Sequence, residues 1–244
     1  MLIAGKEKKI ESMRKHLETM WKYVELLFLE NNYHTFLARR LDFETSEIVR
    51  ALKYAIALHD LGKLFFQEEL RSKGIAPFHE VYSFASISLK SMNIDEALGK
   101  SVLTAILLHH HAMRSILEII DRKYDCKMAL KEYIEEFKDI VENMFNIEVP
   151  FREEIVSEGK VCIRNDEIRQ LVHQNYLRNY VSSLLILYPL AVTDNIAAYT
   201  NRACEEAEEI CVQKTRAAFA RIAYRVEVES KHVSKEFRMK VLGL

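Results

Sequence analysis

The chain has 244 residues, 49% of them hydrophobic, and a formal net charge of −1, which allows one large domain or two small ones with a substantial core. That balance excludes a global basic field, so affinity for nucleic acid must come from a local patch or a bound metal. Six glycines and three prolines fall far below the usual combined share of roughly 12%, and no long stretch alternates polar with apolar, so the expected fold class is all-α.

Cys126, Cys162, Cys204 and Cys211 form no CxxC pair, which predicts free thiols in a reducing compartment. Met1 to Lys9 turns charged at once and offers no signal-peptide core. The longest apolar run, Val181 to Val192, is too short for a bilayer, contains Pro189 and is followed by Asp194. A cytoplasmic protein without a membrane partner is expected.

From Lys6 to about Asn31, apolar residues at Ile10, Met13, Leu17, Met20, Trp21, Val24, Leu27 and Phe28 predict an amphipathic helix with His16 at the edge of its buried stripe. His34 lies past its end, in an expected loop. A second helix starts near Thr45 or Ser46, either of which can cap it. Its inner face, Ile48, Leu52, Ala55, Ile56 and His59, points an imidazole into the interior, where a polar group needs a partner. Asp60 follows directly, and adjacent helical residues diverge by about 100°. Both can therefore reach one site only where the helix ends, and Gly62 is expected to supply a left-handed turn there.

Leu64 to Ala76 reads as a short helix and a loop. A third helix opens after Pro77 with His79, Tyr82, Ser83 and Ser86 on one side; the small serines leave room for a ligand or another helix. Asp95 to Ser115 is apolar almost all round, hence buried, and it ends in His109, His110 and His111. Gly99-Lys100-Ser101 lacks the leading glycine of a phosphate-binding loop, since Ile94 stands there.

Residues 115 to 147 read as scaffold helices with Met128, Ile134, Phe137, Val141 and Met144 as their stripe, and residues 154 to 163 as a small β-hairpin or a flexible excursion. A long helical region resumes near Asp166, with His173 as an ordinary helix residue and Pro189 as a kink or a new start. Beyond it Asp194 stands alone among apolar residues and needs a metal, a base or a cap. Residues 205 to 244 form a charged helical tail whose Lys214, Arg216, Arg221, Arg225, Lys231, Lys235, Arg238 and Lys240 present a solvated or phosphate-contacting face.

His16, His59, Asp60, His79, His109, His110 and Asp194 thus fall in the order H…HD…H…HH…D. With HDLGK at His59 to Lys63, HE…S around His79 to Ser83, HH at His109 and TDNIAAYTNRA from Thr193, this order resembles the HD phosphohydrolase superfamily. More narrowly, it resembles the HD nuclease of CRISPR type I interference in its archaeal stand-alone form. The likeness covers most of the chain. It implies an HD-domain helical bundle spanning 1–244 as one domain, with a C-terminal helical extension from about 205. It also implies two divalent metals bridged by Asp60, one held by His16, His59, Asp60 and Asp194 and the other by Asp60, His79, His109 and His110. Lys63 would contact the scissile phosphate. His34 is the alternative first ligand, and His111 can replace His109 or His110. The implied activity is cleavage of single-stranded DNA, or of RNA, in antiviral defence, beside a separate helicase subunit and an RNA-guided surveillance complex.

The chemistry agrees independently. Two cations sharing a carboxylate can activate water and hold both oxygens of a phosphodiester displacement, and imidazole-rich ligation favours Mn, Ni, Co, Fe or Zn over Mg. One rival is an HD-type phosphohydrolase of a small nucleotide or cyclic nucleotide, although no Gly-Tyr-Pro element follows His111. Another is a metal-stabilised binding module without turnover.

Overall fold

The computed structural model describes residues 1–7, 9–110, 116–171, 180–206 and 210–211. His111, His173 and the basic residues Lys214 to Lys240 lie outside these. The chain divides into two compact units, Met1–Ala203 and Cys204–Leu244. The first unit carries the whole architecture below and is all-α with two small two-stranded ribbons.

The chain begins as a hairpin rather than a helix. Strand β1 (Ile3–Lys6) pairs antiparallel with β2 (Ile10–Ser12), with Gly5 opposite Glu11. The apolar run Leu2-Ile3-Ala4 is buried, and a run that short satisfies its backbone more readily in a ribbon than in a helical face. Ser12 ends β2 and caps α1 (Met13–Val24), its side chain accepting from the Lys15 amide at 3.2 Å. A π-helical turn follows at Glu25–Leu29. His34 then lies on α2 (Tyr33–Leu41), not in a loop; Asn32, left-handed at φ 60°, makes the break between the two.

Helix α3 (Thr45–Leu58) starts as expected, but Glu44 holds the cap position and makes no side-chain cap bond. A 3-10 turn (Leu61–Phe66), α4 (Gln67–Lys73), α5 (His79–Ser86) and α6 (Glu96–Leu108) follow. Asp95 caps α6 by accepting from the Ala97 and Leu98 amides. Then come α7 (Ile116–Asp121), β3 (Lys127–Met128), α8 (Lys131–Phe145), α9 (Glu153–Glu158), β4 (Lys160–Val161), α10 (Asn165–Leu171) and α11 (Tyr180–Ala198).

The stretch expected to hold a hairpin contributes β4, whose partner is the distant β3; residues 153 to 158 are helical. Met128 belongs to that ribbon and is exposed, so it leaves the α8 stripe, while Ile134, Phe137 and Val141 are buried. Cys126 and Cys162 flank the ribbon and form a disulfide, as do Cys204 and Cys211. The expected free thiols are therefore paired. Strand pairing across 36 residues joins the first pair, and no local spacing announces it.

Helix α11 runs through Pro189 into a π turn at Tyr199–Ala203. Proline leaves the carbonyl four residues back without its helical donor. Here that carbonyl is Leu185's, and the Tyr33 hydroxyl donates to it at 2.8 Å. The 24-residue helical stretch Tyr180–Ala203 is long and apolar enough to cross a membrane by length and composition, unlike the shorter run expected from sequence. Half of its most apolar window is buried within the protein, where α11 packs on α1 and α6.

Gly62 does not take a left-handed conformation; positive φ occurs at Gly74 and Gly159 among the described glycines. Its requirement is close approach instead. A Cβ at Gly62 would overlap the backbone carbonyl of His79 and the Ser83 amide, whereas one at Gly99 would meet the flexible end of Leu89. Ser83 Oγ completes the junction, donating to the His59 carbonyl at 2.6 Å and accepting from the Gly62 amide at 2.7 Å. Replacing Gly62 by Ala is expected to cost about 1–3 kcal/mol through overpacking against backbone, while Gly99→Ala, where helix propensity improves, stays near neutral. Urea unfolding measures both, and equal losses at the two positions would remove the close-approach explanation.

Candidate metal centre

Three of the expected imidazoles sit at helix ends. His59 occupies the C-terminal cap position of α3, His109 that of α6, and His79 begins α5. The last turn of a helix leaves carbonyls without partners. His59 Nδ1 lies 2.8 Å from the Ile56 oxygen and His109 Nδ1 2.6 Å from the Ile106 oxygen; His79 Nδ1 lies 2.8 Å from the Ala76 oxygen before its helix. A carbonyl only accepts, so each Nδ1 carries a proton and donates outward, and each ring presents Nε2 to the centre. His16, in the middle of α1, is anchored by a carboxylate: its Nδ1 lies 3.0 Å from Glu11 Oε1.

The Nε2 atoms of His16, His59 and His109 are buried and make no aligned hydrogen bond among the described residues. They lie near carboxylate oxygens all the same. His16 Nε2 is 3.5 Å from Asp60 Oδ2 and 3.3 Å from Asp194 Oδ1; His59 Nε2 is 3.3 Å and 3.8 Å from the same two atoms. Short distances without hydrogen-bond alignment are what ligands aimed at a shared point look like. Asp60 faces both ways. Its Oδ2 turns to His16, His59 and the Lys63 ammonium, the last at 2.6 Å, and its Oδ1 turns to His79 Nε2 at 3.0 Å. His110 Nε2 approaches His79 Nε2 to 3.2 Å, a meeting of ring nitrogens that needs a proton or a cation between them.

Among the described residues, three overlapping groups could hold a metal ion: His16 with His59 and Asp60; His79 with His109 and His110; His59 with His109 and Asp194. All seven expected ligands are therefore brought together. His34 belongs to none of these groups.

The electrostatics divide the cluster. Burial pushes the His59 imidazole down, yet Asp60 and Asp194 beside it outweigh burial and raise it to about 9. Burial likewise opposes protonation of His16, but Glu11 and the two aspartates raise it. Burial would lift Asp60 and Asp194, but the neighbouring His59, with Lys63 for Asp60 and His16 for Asp194, holds both well below the usual carboxylate range. On the other side, burial and then the surrounding imidazoles depress His109 far below the ordinary value, and burial and His79 bring His110 down to about 4. In the first half the two carboxylates are held ionised and His59 is held toward its protonated form, whereas in the second His109 and His110 are held neutral. A cation entering the first half displaces protons; one entering the second meets ready ligands.

The support around the ligands escaped the sequence reading. Glu11, buried in β2, also accepts from Asn201 Nδ2 at 2.6 Å and from Arg202 Nε at 2.6 Å; both donors sit in the π turn after α11. Gln67 clips β1 to the turn after Asp60, exchanging hydrogen bonds with the Ile3 backbone and donating to the Lys63 carbonyl. A cavity of about 270 Å³, lined by Lys63, His79, His109, His110, Asp194 and Arg202 among others, opens beside the cluster.

No family model matches the chain and no curated protein matches it. The donor set fits a metal: buried imidazole lone pairs, ionised carboxylates, and outward hydrogen bonds that fix ring orientation. Adding Mn²⁺ or Co²⁺ to chelator-treated protein at a hundred times its dissociation constant is expected to stabilise it by about 2.7 kcal/mol, read as a rise in unfolding temperature that Asp60→Asn abolishes. Glu11→Gln keeps the shape but weakens the acceptor for His16 Nδ1, and is expected to lower cobalt affinity about 10–100-fold in a spectroscopic titration; unchanged affinity would leave Glu11 a purely structural residue.

Proposed function

We propose that the chain is a dinuclear metal-dependent phosphodiesterase, a nuclease cutting single-stranded DNA, with RNA as a further substrate. It would work in CRISPR-type antiviral defence beside a helicase carried on another chain and an RNA-guided surveillance complex. The observation that carries the hydrolase reading is Asp60, whose two oxygens face different sets of imidazoles, the disposition a bridging carboxylate needs. Two divalent cations held there would supply the Lewis acidity for phosphodiester hydrolysis at neutral pH. The imidazole majority favours Mn, Fe, Co, Ni or Zn, with Mg the weaker fit.

The protein's own part is orientation and charge. His59, His79 and His109 are locked by backbone carbonyls and His16 by Glu11, so little reorganisation is needed on loading. Lys63 pairs with Asp60 at 2.6 Å and lines the cavity; with Asp60 engaged as a metal ligand, its ammonium would be available to a phosphate oxygen. The choice of a polymer over a nucleotide rests on the resemblance and on space. About 270 Å³ lies below the roughly 300–1,000 Å³ of enclosed small-molecule pockets, which suits one phosphodiester with its bases outside.

The test is metal analysis followed by parallel incubation with single-stranded DNA, nucleoside triphosphates and cyclic dinucleotides in Mn²⁺. DNA cleavage by the parent, absent in Asp60→Ala, is expected. Hydrolysis of mononucleotides but not DNA moves the reading to a nucleotide phosphohydrolase, and equal DNA cleavage by Asp60→Ala removes the site.

A further inference from the structure

The cavity beside the cluster contains one cation that the metal reading leaves without a task. Arg202 sits in the π turn Tyr199–Ala203, one position before the first unit ends, and it lines the cavity with Lys63, His79 and Asp194. Its guanidinium rests against Gly5 so closely that a Cβ there would overlap Nη1, Cζ and Nε. Nε donates to Glu11 Oε2 at 2.6 Å, and the Lys9 amide donates to the Arg202 carbonyl at 3.3 Å. The hairpin thus holds this residue by both backbone and side chain.

Serving only as the counter-ion of Glu11 would call for a different geometry. A guanidinium neutralises a carboxylate best through two parallel bonds. Here a single donor of the fork is used. Glu11 Oε1 is taken by His16 Nδ1 and by Asn201 Nδ2 at 2.6 Å, and neither Nη of Arg202 bonds a described residue. The side chain is 14% exposed, and Arg202 is among the residues lining the cavity. A fixed planar fork with spare donors, next to a metal-binding cluster, matches a phosphate group.

Resting on the phosphohydrolase reading above, we propose that Arg202 is a substrate contact whose Nη donors bind a phosphate oxygen in the cavity it shares with Lys63. Glu11 then sets two things at once, the ring of His16 and the fork of Arg202, so the cluster and the phosphate site are held in register by one buried carboxylate. Gly5 leaves the space that the guanidinium occupies.

The probe is thymidine 5′-monophosphate, titrated calorimetrically into the full chain with and without Co²⁺. Arg202→Lys keeps a positive charge near Glu11 but loses the fork, and is expected to weaken the nucleotide about ten-fold, as for loss of a charge-assisted hydrogen bond, with the cobalt spectrum and affinity unchanged. Gly5→Ala alters no ligand and no charge, displaces the guanidinium, and is expected to weaken the nucleotide in the same way; it carries the test if Arg202→Lys does not fold. Unchanged nucleotide affinity in either folded variant overturns the proposal, and so does a loss that merely parallels lost cobalt binding. A chain that binds the nucleotide through Arg202 yet cuts no DNA overturns the nuclease reading alone.

Discussion

The structure depends on one buried carboxylate. Asp60 is 1% exposed, and a carboxylate removed from water persists as an anion only where cations and donors surround it. Lys63 supplies one, three residues on, across the 3-10 turn; His59 supplies another from its neighbouring position; His79 and His16 come from separate helices. Meeting that requirement fixes much of the first unit. Helix α3 must stop at Leu58 so that His59 and Asp60 can point to one place, α5 must come close enough to forbid a side chain at Gly62, and α11 must pass near enough for Asp194 to share His16.

The imidazoles show how a helical protein builds a polar centre without unravelling its ends. At the C-termini of α3 and α6 a terminal carbonyl lacks an amide partner, and the adjoining histidine fills the gap with Nδ1. A single hydrogen bond therefore caps the helix, selects the tautomer and aims Nε2 inward. His16 cannot do this from the middle of α1, where every carbonyl already has its amide. Its anchor has to come from elsewhere, and the N-terminal hairpin supplies it as Glu11. That contrast explains why a short ribbon attends an otherwise helical unit.

Legibility in the sequence followed the same division. His59, His109 and Asp194 were readable because each is polar at a position that helical periodicity places inside, and an unpartnered polar group in a core demands an explanation. His16 was readable only as an edge residue until the others gave it company. Glu11 carried no such signal, because it sits in a strand of alternating environment and its partner Asn201 is 190 residues away. The disulfide between Cys126 and Cys162 was hidden for the same reason, its two halves being joined by ribbon pairing. At Gly62 the local sequence suggests a left-handed turn, because steric exclusion by a helix 17 to 21 residues ahead, at His79 and Ser83, leaves no mark on it.

The roomier groove of the first unit does not lie at this centre. A groove of about 790 Å³, lined by Ile87, Leu89, Met92 and Leu103 with charged residues at its rim, is far larger than the cavity at the cluster. Four of its charged lining residues answer one another, Lys100 pairing with Glu96 at 2.6 Å and Arg152 with Glu167 at 2.8 Å. Groups already paired with one another place little demand on a ligand. The smaller cavity is lined by His109, whose Nε2 no described residue satisfies, and by a guanidinium bonded through one donor of five. Binding energy comes from groups that are fixed in place and still short of a partner, so the inventory of buried polar atoms locates the chemistry where volume does not.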